Sequence, residues 1–391
     1  MQPHPRVILL VEAAAAYGRG CLRGIAKYGR IHGRWIFFHG MRYLTDRLDL
    51  KRLKAFKADG IIARIENRRL ATAVRALNLP TVDLRGSFRF PGVPVIETDP
   101  VRVIETAVEH LRDNGFEHLA FCGYRGLDFS DERQRVFEEM SLPANCVKHV
   151  FLLSRRSQKG AVKAHEQFRV TDQRSLATWL TRLPKPAGIL ACNDTRGRQV
   201  LEACAMAGIR VPYDVAVLGV DNDDVVCELS NPTLSSVTPN VETIGYKAAE
   251  TLERMIAGKP VPREVTWIAP LGIQVRASSG MAALRDPVLL EAVQFIHENV
   301  ANGINVEDVV RQVSISRSTL ERRFKDRLGC TPHDFILRYR IGRVRQLLLE
   351  TALSASRIAR QTGFKTAAHM TALFRLRTGQ TPNQFRLRKG S

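Results

Sequence analysis

The chain lacks most of the residue patterns that mark an enzyme, a metal protein or a membrane protein. Seven cysteines stand at 21, 122, 146, 192, 204, 227 and 330. They are odd in number, scattered and never spaced as CxxC, so neither a disulfide framework nor a zinc cluster is expected. No metal and no cofactor is expected. No apolar run approaches the roughly 20 residues that cross a bilayer. Before Glu12 the N-terminus offers only the five apolar residues of Val7–Val11, too few for a signal segment. A P-loop, a GxGxxG fingerprint and a GxSxG elbow are also missing. These absences lead to the expectation of a cytoplasmic protein that is not an enzyme. Carboxylates are scarce too: 39 Asp and Glu face 59 Lys and Arg, a net charge of +20. That balance favours a polyanionic partner.

What the chain does contain is a repeat near its end. Residues 324–335 read FKDRLGCTPHDF and residues 374–385 read FRLRTGQTPNQF. Phe324/Phe374, Arg327/Arg377, Gly329/Gly379, Thr331/Thr381, Pro332/Pro382 and Phe335/Phe385 coincide at a constant offset of 50. Each copy follows a short helix, a turn and a second helix, the order of a helix-turn-helix. In copy one (306–328) these are VEDVVRQV (306–313), SISRS (314–318) and STLERRFKDRL (318–328), with Ser316 placed as N-cap. In copy two (355–378) they are ASRIARQT (355–362), a turn at Gly363–Phe364, and a helix ending near Thr378 with Thr366 as its cap. Gly329 and Gly379 suit left-handed C′ positions, and Thr331–Pro332 and Thr381–Pro382 suit N-cap and N1 of new helices.

HDFILRYRIGRVRQLLLET (333–351) joins the copies as one helix. Nineteen residues at about 1.5 Å each give roughly 28 Å, close to the ~34 Å between major grooves on one DNA face. One monomer would thus address two successive grooves. Residues 281–391 hold 19 Lys/Arg and 9 Asp/Glu, leaving 40 and 30 for the first 280. The tail is therefore more than twice as dense in positive charge.

Candidate base and groove contacts in copy one are Arg317, Ser318, Thr319 and Arg322. Arg is the commonest bidentate reader of guanine, whereas Lys and peripheral Arg mostly grip phosphate. In copy two the equivalent face carries Lys365, Thr366, Ala367, Ala368, His369 and Thr371, and Ala372 replaces Arg322. The first unit is expected to supply more of the specificity and the second more of the register. A solvated helix face is the plainer fate of these residues. Leu320, Phe324, Met370 and Phe374 are core on either view.

Upstream, strand and helix patterns alternate. RVILLV (6–11), WIFF (35–38), GIIARI (60–65), HLAFCG (118–123), AGILAC (187–192) and VAVLGV (215–220) read as buried parallel strands. A helical pattern begins near Gly20, and LDLKRLKAFKAD (48–59), VRVIETAVEHLRDNG (101–115) and RGRQVLEACAMAG (196–208) are amphipathic. Gly115 and Gly208 sit where helices end. Such alternation implies doubly wound α/β sheets with ligands at the strand C-terminal ends.

AGIRVPYDVAVLGVDN (207–222), NPTLSSVTPNVETIGYKAAETLERMIAGK (231–259) and TDPVRVIETAVEHLRDNGFEHLAFCG (98–123) resemble the sugar-sensing core of LacI/GalR-type regulators. That resemblance spans roughly residues 6–275 and implies a periplasmic-binding-protein-like fold of two α/β lobes around a hinge. Those repressors carry their helix-turn-helix ahead of the core, whereas here the first strand starts at residue 6. The DNA-reading part is therefore expected at the other end, where residues 285–388 resemble an AraC/XylS-type domain. The resemblance implies sugar contacts at Asp99, Arg133, Asn193, Asp194 and Asp221, with Tyr17 and Arg19 from the opposing lobe. Each has a plainer alternative: Asp99 or Asp194 as a helix cap, Asp221 as a strand end, Arg133 in a surface ion pair. Trp35 reads as core.

The joined architecture, an α/β two-lobe sensor (1–280) ahead of an all-α double helix-turn-helix domain (281–391), resembles the xylose-operon activators of bacteria. The AYGRG segment (16–20), expected as a loop facing the sugar, departs from their pattern. The resemblance implies a sugar-responsive transcription activator with promoter DNA, a xylose-like effector, RNA polymerase and a second copy of itself as partners. Closure of the lobes would be passed on through a linker near 276–287. An α/β enzyme fused to a DNA-binding tail and a non-specific nucleic-acid binder are the alternatives.

Overall fold

The structure, a computed structural model, describes residues 4–33, 35–40, 48–153, 170–279, 286–328, 330–351, 353–378 and 380–387. A first lobe is built from β1 (Arg6–Leu10), α1 (Ala16–His32), β2 (Ile36–His39), α2 (Leu50–Ala55), β3 (Gly60–Ala63), α3 (Arg68–Leu77) and β4 (Thr81–Asp83). Its strands run parallel in the order β2-β1-β3-β4. Alternate side chains of a strand face opposite sides. Val7, Leu9 and Val11 accordingly join the core beside α1, while Ile8 and Leu10 join the core beneath α2 and α3.

β5 (Ile96–Thr98) leads into the second lobe, made of α4 (Pro100–Asp113), β6 (His118–Tyr124), α5 (Asp128–Glu139), β7 (Val147–Leu153), α6 (Val170–Arg182), β8 (Ala187–Ala191), α7 (Asp194–Met206), β9 (Val215–Val220), α8 (Asp224–Glu228) and β10 (Ser235–Thr238). α9 (Val241–Ile256) returns to the first lobe and packs on α1. β11 (Thr266–Ile268) pairs with β5, and β12 (Gly272–Gln274) goes back to the second sheet. That sheet runs β12-β10-β9-β8-β6-β7, antiparallel only at β12. The chain thus passes between lobes after Thr98, after Thr238 and after Ile268, which makes a hinge of separate connections.

The remaining described elements are helical: α10 (Pro287–Asn299), a 3-10 turn at Val300–Asn302, α11 (Val306–Val313), α12 (Arg317–Leu328), α13 (Pro332–Glu350), α14 (Ala355–Gln361), α15 (Ala367–Thr378) and α16 (Pro382–Leu387). Two cores share α13. Phe335 and Ile336 at its start pack with α10, α11 and α12, whereas Leu337, Ile341, Val344 and Leu348 pack with α14 and α15.

Several expectations are corrected. α1 begins at Ala16, so the AYGRG segment is its first turn and not a loop. WIFF is an edge strand displaced by one residue; Trp35 precedes it and is buried, while Ile36 is exposed. β4, β5, β7, β10, β11 and β12 carry no strand signal recognised above. Five of these six are only 3 or 4 residues long, and the sixth, β7, is only half-buried. The segment expected as a linker is anchored at both ends. Ser278 bonds the backbone of Thr233, Val217 and Ser235, and Asp286 caps α10; residues 280–285 lie outside the described residues.

Candidate functional site

The C-terminal ends of strands from both lobes converge on one cluster of charged and aromatic side chains. Arg64, just past β3, pairs with Glu12 and, at 2.9 Å, with Glu66, and lies over the Tyr17 ring at 4.7 Å. Arg85, just past β4, pairs with Glu97 of β5 at 2.5 Å. From the second lobe, Phe129 of α5 receives Arg85 at 5.4 Å and Arg133 at 5.8 Å. Arg133 donates to the Cys192 carbonyl and is 8% exposed, so it is not in a surface ion pair. Asp221, at φ 113° just past β9, sits in the field of Arg133, Arg64 and Arg85. The lobes also touch at Asp223, whose carboxylate accepts from Ala16 N at 3.2 Å and lies 3.9 Å from Arg19.

Burial dominates the ionisation of this cluster, because a desolvated carboxylate prefers its neutral form. It pushes Glu97 up to about 7 against the pull of Arg85 and Arg64. Burial raises Asp83 to about 6, offset by the Ile65, Gly86 and Arg85 backbone N–H groups it accepts from. Glu12 and Asp221 are likewise raised, each opposed by nearby arginines. Glu12 Oε2 is buried with no hydrogen-bond partner among the described residues.

Tyr17, Arg133 and Asp221 therefore fall within the cluster. Tyr17 is buried and its hydroxyl meets Thr98 at 3.0 Å. Asp99 is N-cap of α4, accepting from Val101 N and Arg102 N. Asn193, not Asp194, caps α7. Asp194 is buried as a strut, accepting from Asp223 N at 2.7 Å and Ser236 Oγ at 2.6 Å. Arg19 bonds the Ala13 and Ala14 carbonyls.

In the helical part, the capping residues hold the expected stations. Ser316 Oγ accepts from Thr319 N at 3.2 Å and Thr366 Oγ1 from His369 N at 3.1 Å. Thr331 and Thr381 do the same for Asp334 and Gln384. Gly329 and Gly379 lie outside the described residues. Gly363, at φ 73°, closes the copy-two turn where any Cβ would lie 2.3 Å from the Val300 carbonyl. Arg317 is exposed and paired with Glu307 and Glu321. Ser318 and Thr319 share the Ser316 hydroxyl. Arg322 is exposed with no partner among the described residues. Lys365, Thr366, Ala368 and His369 are exposed, Thr371 is half-buried, and His369 stands edge-on to Phe364.

A periplasmic binding protein-like domain matches residues 108–279, a XylR N-terminal domain matches 6–101, and a helix-turn-helix domain matches 309–388. The xylose operon regulatory protein of Escherichia coli K12 is 30% identical over 97% of this chain and 96% of its own length. Its namesake in Haemophilus influenzae is 29% identical over 98% of each. A solved structure described as the xylose-binding transcription activator xylR aligns with a TM-score of 0.60 at 29% identity, over 98% of each chain. The chain belongs to the family of xylose operon regulatory proteins. It is a sugar-responsive, DNA-binding transcription regulator with a periplasmic-binding-protein-like sensor and an AraC-type reader.

For this regulator Glu12, Arg64, Arg85 and Glu97 join the cluster without belonging to any site motif named above. The signal was available: each stands within or just beyond an apolar strand, the position at which open α/β sheets present their ligand groups. Arg64 was hidden inside the apolar run GIIARI.

Proposed function

We propose that this regulator binds xylose or a closely related pentose between its lobes and activates genes for using it, working as a homodimer in the cytoplasm with RNA polymerase as its partner. Residues 1–280 act as the sensor and 281–391 as the DNA-binding part. The supporting observation is the cluster of Arg64, Arg85, Arg133, Glu97 and Asp221, contributed by both lobes. Charged donors and acceptors of this kind suit the adjacent hydroxyls of a sugar, and Phe129 offers an apolar ring for its C–H face. The buried Oε2 of Glu12, unpartnered among the described residues, can accept one more donor. The cluster balances cations against carboxylates, which suits a neutral ligand.

Asp99, Asn193 and Asp194 hold the cleft's frame, and Tyr17 and Arg19 shape its first-lobe side. On DNA, Arg322 reads a base edge, with Arg317, Ser318 and Thr319 beside it. Lys365, Thr366, His369 and Thr371 set register in the next groove.

Coupling runs through the second lobe. Arg338 of α13 pairs with Asp113 at the end of α4 at 2.7 Å. His110 and Asn114, on the same turn, hold Ser279 at the root of the connection. The DNA-binding part therefore rides on the second lobe, and closure over sugar re-aims it. Ligand shifts that balance only by its preference for the closed form. A thermal-shift screen with pentoses and hexoses tests the ligand: a pentose raises the melting temperature, and Arg85→Ala abolishes that rise without weakening sugar-free DNA binding. A screen in which no sugar moves the melting temperature contradicts it.

A further inference from the structure

α2 and α3 form one basic wall on the first lobe, on the sheet face opposite α1 and α9. Leu53 of α2 and Leu70, Ala71 and Val74 of α3 share a core over Ile8, Leu10, Ile61 and Ala63. Their outer sides carry Lys51, Lys54, Lys57, Arg68, Arg69 and Arg75, all exposed. None of the six has a carboxylate partner among the described residues; Arg75 lies over the Phe90 ring at 5.6 Å.

The acids of this stretch are already engaged. Asp49 caps α2, Asp59 accepts from Arg6 N at 2.7 Å, and Glu66 pairs with Arg64. Residues 48–79 hold eight Lys/Arg and three Asp/Glu, a net of +5. Those 32 residues thus carry half of the +10 excess of the first 280.

What the wall lacks decides its partner. No exposed large hydrophobic residue falls between 48 and 79, although such residues occur in both lobes, at Ile31, Ile36, Met206 and Leu229. Protein interfaces centre on apolar and aromatic residues and are depleted in Lys. Phosphate backbone needs only cations, and contacts to it carry no base information.

We propose that the α2–α3 wall grips the phosphate backbone of DNA flanking the operator, adding a sequence-independent contact from the sensor to those of the helical tail. It rests on the reading that this chain binds operator DNA, and the two arms of the test keep them apart.

The full-length protein and its Lys51→Ala, Lys54→Ala, Arg68→Ala, Arg69→Ala variant are titrated over a range of salt against two duplexes. One is trimmed to about 42 base pairs, four helical turns with two for each of a pair of copies, around the protected site; the other is extended on both sides by several turns. The sugar-induced rise in melting temperature, equal in both proteins, confirms the fold. The expected result is unchanged binding to the short duplex and about tenfold weaker binding to the long one. The salt slope on the long duplex falls by ~0.9 for each phosphate that the variant no longer neutralises. Equal affinities and slopes on the long duplex overturn the proposal while leaving operator binding intact. No binding of the parent to the short duplex removes the underlying reading as well. A defect seen only in transcription with RNA polymerase, and not in DNA binding, assigns the wall to a protein and also overturns it.

Discussion

In copy one of the helix-turn-helix the Phe324 and Phe335 rings meet edge to face at 5.5 Å and 76°; in copy two Phe374 and Phe385 meet at 5.4 Å and 80°. Ser316 and Thr366 cap the second helices, and Thr331 and Thr381 the following ones, at the same offset. The exposed faces differ instead: Arg317 stands against Ala367, Arg322 against Ala372 and Asp326 against Leu376, which is 77% exposed. An internal repeat therefore separates two kinds of residue within one chain. Positions that coincide hold the scaffold, and positions that diverge are free to read different DNA.

The core pair should give the largest effect. Phe324→Ala and Phe374→Ala each remove a fully buried ring, and each should cost about 3–5 kcal/mol of the stability of the helical part, followed by circular dichroism during unfolding. Markedly unequal losses would break the structural equivalence of the copies. Next comes the reading face. Arg322→Ala should weaken operator binding by about 1–3 kcal/mol and relax preference at one base pair, whereas His369→Ala should cost less than ~1 kcal/mol. The reverse order would exchange the roles of the two copies.

A pH series separates reader from sensor. Asp334 and Asp308 of the reader are held below the ordinary carboxylate range, by the Thr331 hydroxyl and Arg377 and by the Asn305 N–H and Arg311 respectively. Both stay ionised above pH 6. Glu97 of the sensor titrates near 7. The raised value means that its proton stabilises the fold fully below about 4.5, and that this contribution is lost as pH rises through 7. With the Glu97 carboxylate proposed to accept from a sugar hydroxyl, sugar affinity should fall as pH drops below about 7, approaching tenfold per unit. Glu97→Gln should flatten the profile, as calorimetry would show. The smallest effect belongs to the caps. Thr331→Ala and Thr381→Ala should each cost ~1 kcal/mol, and equal losses would sharpen the equivalence of the copies.

The tail was legible because its signals are local. Caps, αL turns and the apolar spacing of α11 to α15 sit within a few residues of one another, and α11 runs from Val306 to Val313 as the pattern required. The cleft was legible only in part. Arg133, Asp221 and Tyr17 were reached through resemblance to a family. Arg85 and Glu97 stand 12 residues apart in the chain, beside strands of three residues each, too short for an alternating pattern to register. Their pairing exists only once the segments of β4 and β5 lie side by side, bridged at Asp83 and Val95. Asp194 illustrates the converse: a polar residue at the start of α7 whose oxygens are spent on Asp223 and Ser236.

The most direct test of the account is operator affinity measured with and without a saturating amount of the pentose that raises the melting temperature, for the parent and for Asp113→Ala. The parent should change its Kd by about 5–150-fold on adding sugar, the usual range of a coupling free energy. Asp113→Ala, which removes the ion pair with Arg338, should abolish most of that change while binding sugar normally. The same Kd with and without sugar in the parent would contradict the account.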